Sequence, residues 1–453
     1  YRNVGTNSMY LSIQGLKLYK EFPSEDFGRS LDGTDNADMV AIGAPGTWFG
    51  SVSNISGYAK VFTKDSSGNG WTQRGSEVSQ QGGFGHSVAL SPYDGNILVV
   101  GAPFYNTCTP INNSYTGDSR FRTQISEGKV YIYKWNGTNY TLQQTLNSPS
   151  GPIYTSPLFE IPDSWKSFYF GYSLGITDIG DKIIVGEPAI RNLWYTPDQL
   201  QGGAGNQWST SEFPYTGNAH VYDNVTVLSG GTTWTSNVSM TPVIGTTGIG
   251  TSLDLNPERV RWLDALGTSV DINRAGTRIL AGGPGNYGTS NVTPIETYQG
   301  RSTHHMSGRI YTLDWDPING VWYEMGQIGK HIVAPRGQMM QGMCTRFDGS
   351  GRRIVTGCPG FTEVVLSGAV KKSPDVKGEI LVYDWNGDQW VNFPGENVEI
   401  VDLAWNASDD WRNWQWKLGE SIAIDGEGEM ITFGVSEHKY ATAPTSGIFR
   451  PNA

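Results

Sequence analysis

The sequence has little of what nucleic-acid-binding and membrane-spanning proteins require. Basic residues number 32 against 43 acidic ones, and the resulting net charge of −11 disfavours a polyanionic partner. No apolar run approaches the roughly 18 residues that would cross a bilayer as a helix. Nucleophile-elbow, phosphate-loop and zinc-ligand spacings are also missing. We therefore expect no nucleic-acid partner, no membrane span within this segment, no catalytic residue from these motifs and no cofactor.

Glycine, in contrast, is plentiful, with 59 residues, and it recurs at fixed places. The clearest copy runs from Phe84-Gly85 through a turn rich in Pro, Asp, Gly and Asn to Gly101-Ala102-Pro103. Two short apolar segments around such a turn predict a β-hairpin. Related units begin near residues 27, 84, 170, 266, 343 and 418.

A second hairpin follows each unit. One copy runs from Gly128 through alternating apolar residues to Trp135 and leads into Asn136-Gly137, the strongest short-range hairpin signal. Two hairpins make a four-stranded antiparallel unit, which must stack on its neighbours to bury both faces. Four-stranded sheets repeated around an axis form a β-propeller.

At these residues the sequence resembles the FG-GAP repeat family, which also forms the heads of integrin α-subunits. The nearest subtype occurs in surface or secreted proteins of bacteria, algae and large DNA viruses. The resemblance covers nearly the whole chain and implies an all-β, six-bladed propeller forming one domain over residues 1–453. It also implies an extracellular, cell-surface or virion-surface location.

Both ends of the chain contribute to the predicted ring. Residues 10–26 precede the first unit and contain a strand-like segment at 16–22, whereas the last unit stops after residues 447–450. We expect the N-terminal strand to complete the last blade. Residues 248–253 weakly resemble the Phe-Gly segment of the repeat, so a seven-bladed propeller is the alternative. Because the chain begins with Tyr1 and not Met, we also expect processing or a longer parent protein.

The connections between strands differ greatly in length. We label the strands of each blade A to D from the inside; the A–B hairpin is nearly constant, whereas the B–C and D–A connections vary. In an antiparallel blade both leave from the same end, so one face of the disc should carry the long loops and the binding function. The main long loops are residues 104–127, 189–216, 241–265 and 285–307.

Aromatic residues are concentrated in these insertions and are our candidate binding residues. Exposed aromatics suit sugar stacking or a protein hot spot, although they would equally well pack the loops onto the disc. The candidates are Trp194, Tyr195, Trp208, Trp405, Trp411 and Trp414. We expect a non-enzymatic recognition or structural module that binds a protein or glycan and belongs to a larger assembly. The alternative is a secreted glycosidase or lyase with an axial carboxylate site.

Metal binding is not expected. Integrin-type blades hold Ca²⁺ with clustered carboxylates in the A–B turn, and the corresponding turns here are poor in carboxylates. The one acidic cluster, Asp32, Asp35, Asn36 and Asp38, has the wrong spacing and predicts an ordinary polar turn.

Eight Asn-x-Ser/Thr sequons would be glycosylation acceptors in a secreted protein. They are Asn54, Asn112, Asn136, Asn139, Asn224, Asn237, Asn291 and Asn406.

Two of the three cysteines fall on repeat positions. Aligning the fifth unit from Met343-Cys344 places Cys344 on the Gly of Phe-Gly and Cys358 on the Ala of Gly-Ala-Pro, two positions expected to face each other. This alignment predicts a disulfide, which would indicate an oxidising compartment. The alternative is two small buried thiols, and Cys108 remains outside the pair.

The absence of a calcium loop gives a direct test. Thermal unfolding should show the same midpoint with and without a chelator, because no predicted site ties a divalent cation to the fold. A midpoint that falls by several degrees in the chelator would reveal a missed site, with Asp32–Asp38 the first place to look.

Overall fold

A computed structural model describes the following separate stretches of the chain. These are residues 26–46, 56–66, 70–105, 127–149, 169–188, 217–226, 232–240, 265–284, 297–298, 301–302, 308–325, 332–334, 339–359, 364–366, 369–371, 379–392, 398–399, 414–438 and 445–449. The described residues form strands and turns and contain no helix, hence no helix long and apolar enough to cross a membrane.

Thirty strands are described, and most belong to one of six antiparallel sheets, which we call blades one to six. Blade one comprises β1 (Ser30–Gly33), β2 (Met39–Ala44), β3 (Ser56–Lys64), β4 (Trp71–Gln73) and β5 (Val78–Gln81). Blade two comprises β6 (Ser87–Leu90), β7 (Ile97–Ala102), β8 (Lys129–Trp135) and β9 (Tyr140–Asn147). Blade three comprises β10 (Ser173–Ile176), β11 (Lys182–Glu187), β12 (Asn218–Thr226) and β13 (Thr232–Met240).

The second half of the chain repeats this plan, with two small hairpins between strands B and C. Blade four comprises β14 (Ser269–Ile272), β15 (Arg278–Gly283), β18 (Arg309–Asp316), β19 (Val321–Glu324) and β20 (Ile332–Val333), and its hairpin is β16 (Thr297–Tyr298) and β17 (Arg301–Ser302). Blade five comprises β21 (Cys344–Phe347), β22 (Arg353–Cys358), β25 (Glu379–Trp385), β26 (Trp390–Asn392) and β27 (Val398–Glu399), and its hairpin is β23 (Val364–Leu366) and β24 (Ala369–Lys371). Blade six comprises β28 (Trp414–Ile424), β29 (Ile431–His438) and β30 (Thr445–Phe449).

The blades follow one another around an axis. Within each, the strands pair in chain order, except that β5, β20 and β27 pair with the third strand of their blades, β3, β18 and β25. The first strands of successive blades contact one another in the order β1, β6, β10, β14, β21 and β28. This arrangement is a β-propeller and confirms the predicted all-β fold class. The blade number and ring closure remain predictions, because residues 10–25 and 241–264 lie outside the described residues.

The glycine of each Phe-Gly pair adopts a backbone that other residues avoid. Gly85 has φ of +92°, and the five equivalent glycines lie between +87° and +91°. Its N–H donates to the carbonyl of Gly101 in the same blade, 3.0 Å away. Its own carbonyl turns toward the previous blade and accepts a hydrogen bond from the Ser30 hydroxyl at 2.8 Å.

This serine bond recurs between blades. The pairs that follow are Ser87 with Gly171 at 2.7 Å, Ser173 with Gly267 at 2.8 Å, and Ser269 with Gly342 at 2.8 Å. The glycine of Gly-Ala-Pro makes the approach possible, because a Cβ on Gly101 would lie only 2.1 Å from the Gly171 carbonyl. Three small residues per repeat therefore form one contact between neighbouring blades.

Apolar residues fill the spaces between blades. Because the sheets of blades two to five are covered on both faces, their B strands are almost continuously apolar, as in Ile97–Ala102. Phe84 and Phe170, the aromatic members of the Phe-Gly pairs, are fully buried in successive interblade cores.

The predicted Cys344–Cys358 disulfide is wrong. Cys344 lies opposite Gly357, so Cys358 is one residue out of register and its side chain points to the other face of the sheet. Cys358 packs in the core between blades four and five, whereas Cys344 packs against the core between blades five and six. Gly342 has the φ of +90° that marks the Phe-Gly position, so the fifth unit begins at Gln341 and not at 343. Cys344 therefore occupies the serine position.

One interblade position differs from its equivalents. Leu31 in blade one is 62% exposed, whereas Val88, Leu174 and Ile422 at the same repeat position are at most 7% exposed. The face of blade one that would meet blade six in a closed ring is thus less covered than the other interblade faces.

The close approach at Gly101 predicts a large effect of a single methyl group. Gly101→Ala should lower the free energy of unfolding by about 3 kcal/mol in chemical denaturation, because the Gly171 carbonyl and the Ser87 hydroxyl must both move. The matched control is Gly320→Ala, which has φ of +65° but nothing within 4 Å and should cost about 1 kcal/mol. Equal losses in the two variants would contradict the proposed role of this contact.

Candidate functional site

Most of the predicted binding residues lie outside the described part of the chain. This holds for Trp194, Tyr195, Trp208, Trp405 and Trp411. Trp414 begins strand β28, but its side chain is not described. The aromatic binding face therefore stays a prediction.

The sequons are divided in the same way. Asn54, Asn112, Asn291 and Asn406 lie outside the described residues, and Asn237 is in β13 with an undescribed side chain. Asn136 is exposed in the turn between β8 and β9, where its Oδ1 accepts two backbone N–H groups. Asn139 accepts the Ser76 N–H at 2.8 Å, and Asn224 is half-buried in β12.

The strand register places the origins of the long loops at one end of the blades. Ser87, which begins strand A, lies opposite Gly101 near the end of strand B. Ala102 in turn lies opposite Lys129, which begins strand C. The D–A and B–C connections thus leave blade two from the same end, and the A–B turn lies at the other.

At that other end the A–B turns bond to one another by main-chain groups. Asp35 N–H donates to Pro92, Tyr93 to Asp178, Asp178 to Arg274, Arg274 to Gly349 and Gly349 to Gly426, over 2.9–3.2 Å. One hydrogen bond therefore joins every pair of successive turns from blade one to blade six.

The predicted polar-turn character of the acidic cluster agrees with its contacts. Asn36 bonds to Asp38 and Thr34 within the turn. Asp35 forms an ion pair with Arg274 of blade four, and Asp32 accepts the Leu90 N–H. The four side chains thus bind different partners, and no group of three metal-ligating side chains occurs in the described stretches.

Charged side chains from distant blades meet near the axis. Arg346 of blade five lies with its Nη1 4.0 Å from Oδ1 of Asp271 in blade four. Asp271 also accepts the Phe347 N–H, as Asp32 accepts that of Leu90, each time from the next blade. Arg274 of blade four reaches Asp35 of blade one at 2.6 Å, which shows that the blades surround a narrow centre.

Burial changes the acidity of these carboxyls. It raises the pKa of Asp32 to about 6, although the Leu90 N–H and Arg346 both oppose the rise. Burial also raises the pKa of Asp271, again against the effect of Arg346. The axial arginine therefore offsets part of the cost of holding two carboxylates in a partly dehydrated channel.

A second buried polar cluster lies in blade three. Glu187 takes the place of Ala in Gly-Ala-Pro; its Oε2 lies 2.5 Å from Nε2 of His220, and its Oε1 accepts the Ser148 hydroxyl at 2.5 Å. Both Glu187 and His220 are fully buried. Because the carboxylate lies between them, His220 is not placed to take the serine proton as in a hydrolase triad. Sequence reasoning missed this cluster; its signal was the Glu in Gly186-Glu187-Pro188.

No protein-family model and no curated protein matches the sequence. Among solved structures the chain is similar to the Dos1 propeller, at 8% identity and a TM-score of 0.37, over 95% of this chain and 73% of that one. It is also similar to a putative TolB from Agrobacterium tumefaciens, at 10% identity and a TM-score of 0.33, over 81% and 80% of the two chains. A prolyl endopeptidase matches at 8% identity and a TM-score of 0.38, over 93% of this chain and 39% of its own.

These TM-scores are too low to transfer any property to this chain. The fold rests on strand pairing and on the order of blades around the axis. The activity has to be inferred from the residues themselves.

The raised pKa of Asp32 predicts a specific pH dependence. Since the pKa in the folded protein lies above the ordinary 3.8, the folded state holds this proton more tightly than the unfolded chain. The contribution of Asp32 to stability should therefore decline as pH rises from about 4 to about 6. The measurable quantity is the difference in unfolding free energy between wild type and Asp32→Asn, followed over that range by denaturant titration.

Asp316→Asn provides the control. Hydrogen bonds from Asn319 lower the pKa of this exposed turn carboxyl, so its difference from wild type should stay nearly constant from about pH 6 down to about 5 and then shrink as pH falls, opposite in direction to Asp32. An Asp32→Asn difference that is flat, or that grows with pH, would contradict the assignment of Asp32 to a dehydrated axial position.

Proposed function

We propose that this protein is a member of the FG-GAP repeat family that serves as a non-enzymatic recognition or structural module outside the cell or on a particle surface. It binds a protein or glycan through the B–C and D–A loops of one face and forms part of a larger assembly. The observation that supports this best is the difference between the two ends of the blades.

At one end the connections are short and bonded to each other. The A–B turns are linked by main-chain hydrogen bonds, and the axis near them carries ion pairs. At the other end, strands B and C of blade two are separated by residues 103–128, and those of blade three by residues 188–217. Long insertions on one end of a fixed scaffold are where binding residues concentrate.

The scaffold beneath those loops is held by repeated, buried contacts. Serine hydroxyls join blades one to five in sequence, and apolar cores fill the spaces between blades. Such a platform fixes the strand ends from which the loops leave, which lowers the entropic cost of binding a partner.

A secreted carbohydrate-active enzyme is the second candidate, and the axial carboxylates favour it. Asp32 and Asp271 both have a raised pKa, as a general acid requires. However, each accepts a backbone N–H from the next blade, and Arg346, 4.0 Å from Asp271, opposes the rise in the pKa of both. These hydrogen bonds favour a structural role for the two aspartates, which hold neighbouring inner strands together. Glycosidase or lyase turnover that disappears in Asp271→Asn while the fold persists would favour the enzyme.

The recognition proposal is tested by photo-crosslinking in the native assembly. A photoreactive residue at position 208, in the blade-three loop, should crosslink to a partner, because that loop leaves from the proposed binding end.

The matched control is the same residue at position 93. Tyr93 is 73% exposed in an A–B turn at the opposite end, so its replacement leaves the core intact and should give no partner crosslink. Crosslinks from position 93 and none from 208 would overturn the assignment of the binding face.

A further inference from the structure

The A–B turns carry an uneven distribution of charge. All six turns are described, and their two basic residues, Arg274 and Arg352, lie in the neighbouring turns of blades four and five. The blade-five turn also contains one carboxylate, Asp348. The turns of the other four blades contain acidic residues and no basic one: Asp35, Asp38, Asp94, Asp178, Asp181, Asp425, Glu427 and Glu429. Two arginines against one carboxylate make blades four and five the one basic sector of the turn face.

A cleft opens within that sector, between blades four and five. Its volume is about 410 Å³, and the residues that line it include Arg274, Arg278, Arg352 and Trp385. Asp314 is the one acidic residue in the wall. Arg278 pairs with Asp314 in the wall, and Arg274 pairs with Asp35 and Glu427 of other turns. Arg352 is therefore the one cation lining the cleft that forms no ion pair with the described residues.

Two of these arginines have structural partners. Arg278 bonds to Asp314 through Nε at 3.3 Å and donates from Nη1 to the Gly351 carbonyl of the next blade. Blade five repeats this arrangement, since Arg353 pairs with Asp384 at 2.7 Å and donates to Gly428. Arg274 pairs with Asp35 at 2.6 Å.

Arg352 is different. Its backbone N–H bonds to Asp348, but its guanidinium has no hydrogen bond or ion pair with the described residues, and it is exposed at the edge of the cleft. The equivalent turn positions in blades three and four are Asp181 and Thr277, so the repeat does not demand a cation here. Arg352 is thus a charge without a structural role in the fold as described.

The remaining wall indicates what the cation would bind. Trp385 is half-buried, held against Trp390 with ring centroids 5.4 Å apart, and it offers an aromatic surface beside Arg352. Thr277 and Ser350, which both carry hydroxyls, also line the cleft. An indole face with neighbouring hydroxyls suits a sugar ring, and a guanidinium suits its carboxylate or sulfate.

We propose that the cleft between blades four and five is a binding site for an acidic saccharide, one or two sugar rings carrying a carboxylate or a sulfate. The site is separate from the loop face of the proposed function. The cleft is small and the rest of the turn face is acidic, which disfavours an extended polyanion such as nucleic acid.

Isothermal titration calorimetry at low salt, about 50 mM, tests the site with four probes: digalacturonate, monosulfated lactose, neutral lactose and sodium sulfate. At least one charged disaccharide should bind about tenfold more tightly than either neutral lactose or free sulfate. Which of the two binds identifies the anionic group as carboxylate or sulfate.

Variants separate a built site from general charge attraction. Arg352→Glu should weaken the charged disaccharide by about tenfold or more, and Arg352→Gln somewhat less. The control Lys134→Glu makes the same charge change at an exposed position at the turn end of blade two and should alter the affinity less than about twofold. Trp385→Leu should weaken the disaccharide while leaving any sulfate binding unchanged; thermal melting verifies that each variant is folded.

Three results would overturn the proposal. The first is that neither charged disaccharide binds. The second is that neutral lactose or sulfate binds as tightly as the charged disaccharides, and the third is that Arg352→Glu and Lys134→Glu have equal effects. None of these bears on the loop-face crosslinks, so the two proposals fail independently.

Discussion

The contact between successive blades depends on one glycine residue. From blade two onward the glycine of the Phe-Gly position, at φ near +90°, presents its N–H to its own blade and its carbonyl to the previous one. In these blades a side chain at this glycine, or at the Gly-Ala-Pro glycine that it faces, would occupy the space of the neighbouring backbone. Since each serine hydrogen bond is worth only about 1 kcal/mol net, the value of the motif lies in setting the distance at which the apolar faces close. The small residues therefore recur in the sequence because every pair of blades must pack at the same distance.

This explains how far sequence could lead. The all-β fold and the pairing of strands in chain order were predictable, because the glycines and the apolar alternation repeat at every blade. The register of blade five was not predictable from the sequence. Gln341 replaces the residue before the glycine, and Met343-Cys344 resembles the Phe-Gly pair two residues too late. A shift of two residues moved Cys344 from the serine position to the glycine position and produced a false disulfide. A one-residue difference in register decides which face a strand residue occupies, and composition cannot resolve it.

The charged residues near the axis could not be predicted from the sequence, for a different reason. Asp32, Asp271 and Arg346 are far apart in sequence and occupy a position that is Ala or Gly in blades two, three and six. Nothing local marks them, and only the arrangement of blades around an axis brings them together. Each aspartate accepts an N–H of the next inner strand, which would otherwise face the channel unpaired. The carboxylates thus act as caps for the inner edge of the sheets, and the arginine reduces their mutual repulsion.

The two ends of the propeller are free to vary in different ways. At the loop end, the contact between blades uses strand residues, so the connections can lengthen without disturbing it. At the turn end, neighbouring turns bond through main-chain N–H and carbonyl groups, and the side chain that closes each turn is a single Thr, Ser, Asn or Asp. A second turn position has a positive φ and is Gly in five of the six blades. The position after it has no such requirement, which is why Asp181, Thr277 and Arg352 can share one place in the repeat. The loops can therefore change in length at one end, and the turns can change in charge at the other, while the contacts between blades stay the same. A scaffold with this separation can acquire a second binding surface without losing the first.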